Sequence, residues 1–178
     1  MSDHRHRTHS DFNRIVQFFS GEAPDDRGRY LAEIQNWPDH RLEAVHDFIQ
    51  WMFPLTEPSG VNPSAPLLDA ESIREIHSRP ELQENLRRSF LRMLRFYGLA
   101  WRDGRVERAP NFTECAENWL AWGNHNHLRI TRILKCLRLA GLENEAAAFF
   151  DCLTQLYEAH QGRISPTTFR FWQDAISQ

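Results

Sequence analysis

Pro80-Glu-Leu-Gln-Glu-Asn-Leu-Arg-Arg-Ser-Phe-Leu-Arg-Met-Leu-Arg-Phe-Tyr-Gly98 is the stretch on which the fold class turns. Leu82, Leu86, Phe90, Met93, Leu94 and Tyr97 recur at spacings of three and four. At about 100° per residue they form one apolar stripe, while Arg87, Arg88, Arg92 and Arg95 lie off it. Proline is tolerated in a first helical turn, where its missing N–H has no intrahelical acceptor to lose, and glycine favours the position past a helix end. The stretch therefore predicts a long amphipathic helix opened by Pro80 and closed by Gly98.

The same grammar extends in both directions. Downstream, Leu99-Ala-Trp-Arg-Asp-Gly-Arg-Val-Glu carries the one strand signal, with Asp103-Gly104 as a two-residue turn. Thr113 is expected to cap a short helix through Trp119 and Trp122, broken at Gly123-Asn124. Further helices are expected over residues 126–140, stopped by Gly141, over 143–160, burying Phe149, Phe150, Leu153, Leu156 and Tyr157, and from Ser165-Pro166 onward, with Phe169, Trp172 and Ile176 inward. Upstream, Leu42, Val45, Ile49, Met52 and Phe53 share a face and predict one helix over residues 39–53, stopped by Pro54. Pro54, Pro58, Pro63 and Pro66 around Gly60 then predict an ordered extended loop, and Asp69 the cap of the next helix. Asp11 is expected to cap a first helix through Phe12, Ile15, Val16 and Phe19. Residues 1–10 read as a flexible arm, in which His4, His6 and His9 would make only an adventitious metal site. The expectation is all-α: a single compact bundle of about seven helices over residues 11–178, with a proline-rich loop and at most one short β-hairpin.

Composition narrows the function classes. The 178 residues are 41% hydrophobic and 12% aromatic, enough apolar mass for a real core. A net charge of −3 gives no global electrostatic footprint for nucleic acid, which is not the expected partner. Cys115, Cys136 and Cys152 are widely spaced and odd in number, which fits a reducing compartment better than a disulfide framework. No apolar run reaches the roughly 20 residues of a bilayer span, and the polar N-terminus lacks a secretory pattern. A cytoplasmic location is expected, with peripheral membrane contact and oligomeric state left open.

No nucleophile elbow, paired-cysteine zinc pattern, phosphate loop or dinucleotide fingerprint occurs, so neither a catalytic residue nor a cofactor is expected. Two segments stand out. From Asn118 to Leu142 there is no acidic residue, while Arg129, Arg132, Lys135 and Arg138 are basic and lie off the apolar stripe Ile130, Ile133, Leu134 and Leu137. His125 and Asn126 stand where a helix start favours an anion, and with Arg129 they suggest an anion-binding site; Arg132 would pair with a carboxylate elsewhere. The alternative is a solvated basic face with ordinary capping. His125 and His127 are two apart and would diverge on a helix, so no metal is expected there. The second segment is His46-Asp-Phe-Ile-Gln-Trp-Met-Phe-Pro54, in which His46 and Gln50 fall one helical turn apart. There His46 reads either as buried and bonded to backbone or as a ligand contact, and Trp51 and Phe53 as packing.

These segments carry a resemblance. His46-to-Leu55 with the following Glu57-Pro-Ser-Gly-Val-Asn, Leu94-Arg-Phe-Tyr-Gly-Leu, Asn118-Trp-Leu and His125-Asn-His-Leu-Arg-Ile-Thr-Arg-Ile-Leu-Lys-Cys-Leu, in that order, resemble the conserved domain of the opioid growth factor receptor family over about residues 30–156. The resemblance implies a helical domain, unrelated to seven-helix receptors, with peptide binding (methionine enkephalin in the animal proteins) as the inherited activity and nuclear or perinuclear relatives. The chain departs from the animal pattern in lacking a basic localisation run and a long repeat region, so a stand-alone microbial member is expected. Two functions are carried forward. One is a module binding a peptide or protein segment through His46, Gln50, Trp51, Trp119, Trp122, His125, Asn126 and Arg129. The other is an enzyme or nucleotide-handling protein in which His46, His125 and Arg129 act on an anionic small molecule.

Overall fold

The computed structural model describes residues 4–177, with side chains described from Asp11 onward. Among these residues the chain is helical, with ten helices and one two-stranded antiparallel hairpin, as the periodicity predicts. It divides into two compact units, residues 1–89 and 90–178.

The first unit holds α1 (His4–Ser20), α2 (Leu31–Gln35), α3 (Asp39–Ala44), α4 (Ile49–Met52), α5 (Ala70–Ser78) and the first half of α6 (Pro80–Phe96). Of the expected N-terminal arm, residues 1–3 and the side chains of 4–10, hence its three histidines, lie outside the described residues. Asp11 lies inside α1 instead of ahead of it. Its carboxylate accepts from Arg14 (3.0 Å) and from the Leu67 N–H (3.3 Å), pinning the proline-rich loop. That loop is ordered as expected: Leu68 N–H donates to the Leu55 carbonyl (2.8 Å), and Arg14 reaches the Ser64 carbonyl (2.9 Å). Asp69 caps α5, accepting from the Ser72 N–H at 2.7 Å.

The helix expected over residues 39–53 is two helices. Val45 leaves α3 extended (φ −96°, ψ 130°), and residues 45–48 are non-helical before α4. The cause is an ion-pair network that sequence spacing could not reveal. Buried Asp25 accepts from Arg29 Nε (2.8 Å) and from the Arg27 and Arg29 N–H groups (2.9 Å each). Arg29 also donates to Asp47 (2.9 Å), and Asn62 to the Asp47 carbonyl (3.1 Å). Three chain segments thus meet on Asp47, and a continuous helix would carry it away from them. Around this network Phe18, Phe19, Ile34, Trp37, Leu42, Phe48, Trp51, Met52 and Phe53 form the core.

The second unit takes the rest of α6, then β1 (Leu99–Arg102), β2 (Arg105–Arg108), α7 (Phe112–Ala116), α8 (Asn126–Leu139), α9 (Glu143–Ala159) and α10 (Pro166–Ser177). Asp103 (φ 52°) and Gly104 (φ 77°) make the tight turn of the hairpin, as expected of Asp-Gly. Gly98 ends α6 with φ 77°, and no other residue fits there: a Cβ would lie 2.8 Å from Cys115 Cβ and 2.9 Å from Phe112 Cα. Ser165 opens α10 as expected, accepting from the Thr168 N–H at 3.0 Å. The short helix α7 begins at Phe112 behind Asn111 and stops at Ala116, so Thr113 is not its cap and Trp119 lies beyond it. The core is Phe90, Leu94, Tyr97, Trp119, Ile130, Ile133, Leu134, Leu137, Phe149, Leu153 and Trp172. Arg92, expected off the apolar stripe of α6, is buried too.

Candidate peptide-binding surface

Within the first unit, His46 sits in the exposed link between α3 and α4, not buried on a helix flank. Its carbonyl accepts from Gln50 Nε2 (3.2 Å). Gln50 and Trp51 are buried, with Gln50 Oε1 and Trp51 Nε1 enclosed without hydrogen-bond partners among the described residues. Trp51 packs edge-on against Phe18 (5.2 Å between centroids), and the Arg14 guanidinium lies over its face at 4.9 Å. Packing therefore accounts for Trp51, and Phe53 is wholly enclosed beside it.

In the second unit the exposed and buried members of the predicted set separate. Trp119 is fully buried and donates through Nε1 to the Tyr97 carbonyl (3.0 Å), joining the end of α6 to the segment after α7. Asn126 and Arg129 are buried at the start of α8, with Arg129 3.5 Å from Asn126 Oδ1. The anion reading needs free donors at this helix start, and they are occupied. Asn126 N–H donates to Asn124 Oδ1 (2.9 Å), His127 N–H to the Asn124 carbonyl (3.0 Å) and Leu128 N–H to the His125 carbonyl (3.2 Å). His125 itself is exposed and its side chain caps nothing. The basic face is not a solvated stripe either: Arg129 is buried, and Arg138 donates to the Ala175 carbonyl (2.9 Å) at the end of α10.

Sequence reasoning weighed His127 only as a metal ligand, and the structure gives it a different place. It is buried, its Nε2 donates to the Trp119 carbonyl (2.8 Å), and its own carbonyl accepts from Trp172 Nε1 (3.1 Å). Because a carbonyl can only accept, Nε2 carries the proton and Nδ1 the lone pair. Burial holds this imidazole below its ordinary pKa; the bond to Trp119 opposes the shift and nearby His125 adds to it. Burial likewise pushes the Cys136 thiol up to about 12 and the Cys152 thiol up to about 11, so neither is a nucleophile at neutral pH. Among the described residues, no three or more His, Cys, Asp or Glu side chains are placed to hold a metal, and no helix is long and apolar enough to cross a membrane.

Trp122 behaves differently from the other predicted tryptophans. It is 63% exposed, in the turn before α8. Its ring borders a cavity of about 440 Å³ whose other walls are Tyr157, Glu158, Gln161, Gly162, Ile164 and Pro166. Phe150 and Tyr157, expected in the core, are half-buried, as is Phe169. Tyr157 stacks parallel on Phe169 (4.2 Å, 1°), and Phe169 stacks on Phe150 (5.6 Å, 19°). The apolar arc of α9 is wider than the face its neighbours cover, so its flank continues the cavity as a row of stacked rings. Glu158 on the cavity wall has no ion-pair partner among the described residues.

Comparison with known proteins places these elements in one family. Residues 12–177 match the sequence model of the opioid growth factor receptor (OGFr) conserved region. The opioid growth factor receptor of Homo sapiens is 47% identical over 123 residues, 66% of this chain and 18% of its own length. That of Mus musculus is 42% identical over 139 residues, 74% of this chain and 22% of its own. Opioid growth factor receptor-like protein 1 of Xenopus tropicalis is 42% identical over 135 residues, 72% and 26%. The chain thus spans about a fifth to a quarter of the length of these relatives. No solved structure matches it. The conserved-region match across nearly the whole chain, with relatives at this identity, shows that the chain belongs to the opioid growth factor receptor family.

Proposed function

We propose that this chain is a peptide-binding module, and that a short segment of a partner docks in the cavity beside Trp122. One observation carries the reading: a largely exposed indole forms the rim of a cavity of about 440 Å³ that continues into stacked aromatic rings. Contiguous exposed apolar surface marks interaction sites, and tryptophan and tyrosine are the side chains that most often anchor binding interfaces. The unpaired Glu158 carboxylate on the cavity wall favours a ligand with a positive charge, from lysine, arginine or a free α-amine, next to an apolar side chain. The relatives' name, opioid growth factor receptor, fits a peptide ligand of this kind.

A panel of synthetic pentapeptides tests the proposal, each with one aromatic side chain and one cationic group, and with methionine enkephalin included. Amide and indole chemical shifts of the intact chain are followed during titration. Saturable shifts centred on Trp122, Tyr157 and Gly162 are expected. Saturable shifts elsewhere only, or none across the panel at millimolar concentration, would refute the assignment of this cavity.

A further inference from the structure

The hairpin presents a second surface that does not depend on the aromatic cavity. In the β1–β2 register Leu99 faces Arg108, Ala100 faces Glu107, Trp101 faces Val106 and Arg102 faces Arg105. Just beyond it, the Ala109 N–H donates to the Gly98 carbonyl at 2.8 Å. That bond sets the phase of the ladder. Ala100↔Glu107 and Arg102↔Arg105 are the bonded pairs, and Leu99↔Arg108 and Trp101↔Val106 the non-bonded ones. In a non-bonded pair the N–H and C=O groups point away from the partner strand. Val106 and Arg108 therefore aim two donors and two acceptors outward from β2, roughly 7 Å apart along the strand.

These groups meet an open groove. A cavity of about 530 Å³ is lined by Gly104, Arg105, Val106, Glu107 and Arg108, and across from them by Asp151, Cys152 and Leu156 of α9. Successive strand side chains point to opposite faces, so a cavity touched by five consecutive residues, and by none from β1, runs along the free edge of β2. Exposed edges are usually closed by a covering element. Here α9 stands off and leaves a slot.

Charge specifies what fits. Arg105 and Arg108 line the slot without an ion-pair partner among the described residues; of its two carboxylates, Glu107 lies 3.8 Å from Arg102 and Asp151 stands on α9. Arg108 lies over the Phe112 ring (4.9 Å) and 3.5 Å from His160 Nε2. Burial holds the His160 pKa down, and the charges of Arg108 and Arg163 add to it. Arg108, beside His160 and Arg163, makes its end of the slot positive, while the α9 wall presents Asp151 and Gln155 with the buried Cys152 and Leu156.

We propose that the β2 edge is a strand-addition site: an extended acidic segment of a partner protein pairs with the Val106 and Arg108 backbone and places a carboxylate by Arg108.

Synthetic ten-residue peptides of alternating valine and threonine, with glutamate placed at each position in turn, test this on the intact chain. Before addition, the Val106 and Arg108 amides should exchange with solvent faster than those of Glu107 and Ala100. At least one peptide should then shift the Val106 and Arg108 amides saturably and slow their exchange. N-methylation of alternate peptide residues, lysine in place of glutamate, and Arg108→Glu should each weaken that binding at least tenfold, whereas Trp122→Ala should leave it unchanged. Slow exchange at Val106 and Arg108 that depends on protein concentration, with a dimer in sedimentation, would assign the edge to a second copy and overturn the proposal. So would the absence of a saturable shift across the set, or binding that survives N-methylation.

Discussion

Replacing Gly98 with alanine probes the junction where α6 hands the chain to the hairpin. Two costs arise there. The φ of 77° puts an L side chain in the left-handed region, at about 1–2 kcal/mol. The new methyl would also meet Cys115 Cβ at 2.8 Å and Phe112 Cα at 2.9 Å. One of those atoms is backbone, so relief requires α7 to move, and overpacking of this kind costs about 1–3 kcal/mol. Together, Gly98→Ala should destabilise by about 2–5 kcal/mol. Gly123→Ala is the control: its φ of 73° is similar, but nothing lies within 4 Å of the added Cβ, so only the backbone cost of about 1–2 kcal/mol applies. Urea unfolding of the three proteins, followed by far-ultraviolet dichroism, measures both values. Equal losses for the two variants would refute the close approach of α7 to Gly98, because the difference between them isolates the steric contribution.

Three further outcomes follow from named contacts. Asp25→Asn leaves Arg29 facing one carboxylate instead of two and should cost about 3–5 kcal/mol in urea unfolding, as loss of one partner from a buried pair does; a loss below 1 kcal/mol would show that the Asp25–Arg29 pair is not buried as described. His127 has a folded-state pKa below its unfolded value, so the neutral form contributes stability that is present above about pH 6.5 and lost as pH falls through the depressed folded value. Unfolding free energies between pH 8 and pH 5 should therefore decline on acidification, and His127→Gln should flatten part of that decline; an unchanged profile would contradict the buried neutral assignment. Phe53→Ala, within the first core, should cost about 3–5 kcal/mol, and a variant of native stability would mean that the residue is not packed as described.

Most of the architecture was legible because it rests on local rules. The α6 stripe, the Asp69 and Ser165 caps, the Asp103-Gly104 turn and the glycine stops each depend on residues a few positions apart. What was not legible depends on partners far along the chain. Nothing near Val45 announces a break, because its cause is Asp47 meeting Arg29 and Asn62. Thr113 looks like a cap, but α7 starts ahead of it. In the predicted site, periodicity could not tell an indole turned inward, as at Trp51 and Trp119, from one left outside, as at Trp122. No local signal separates them, because Trp119 also lies in a turn beyond α7 and is held inward by a distant partner, the Tyr97 carbonyl. Phe150 and Tyr157 are seven apart on the edge of a broad apolar arc, and such edges stay half open when one neighbour covers the centre.

The proposed docking site requires that Trp122 be kept at the surface for a ligand. Isothermal titration of the tightest-binding pentapeptide of the panel into the intact chain and into Trp122→Ala tests it most directly, with urea unfolding of both as the control. An exposed residue at a binding hot spot should weaken affinity by about 2 kcal/mol or more, roughly thirtyfold, when truncated. Stability should meanwhile stay within about 0.5 kcal/mol. Undiminished affinity in Trp122→Ala, with both proteins equally stable, would contradict the account.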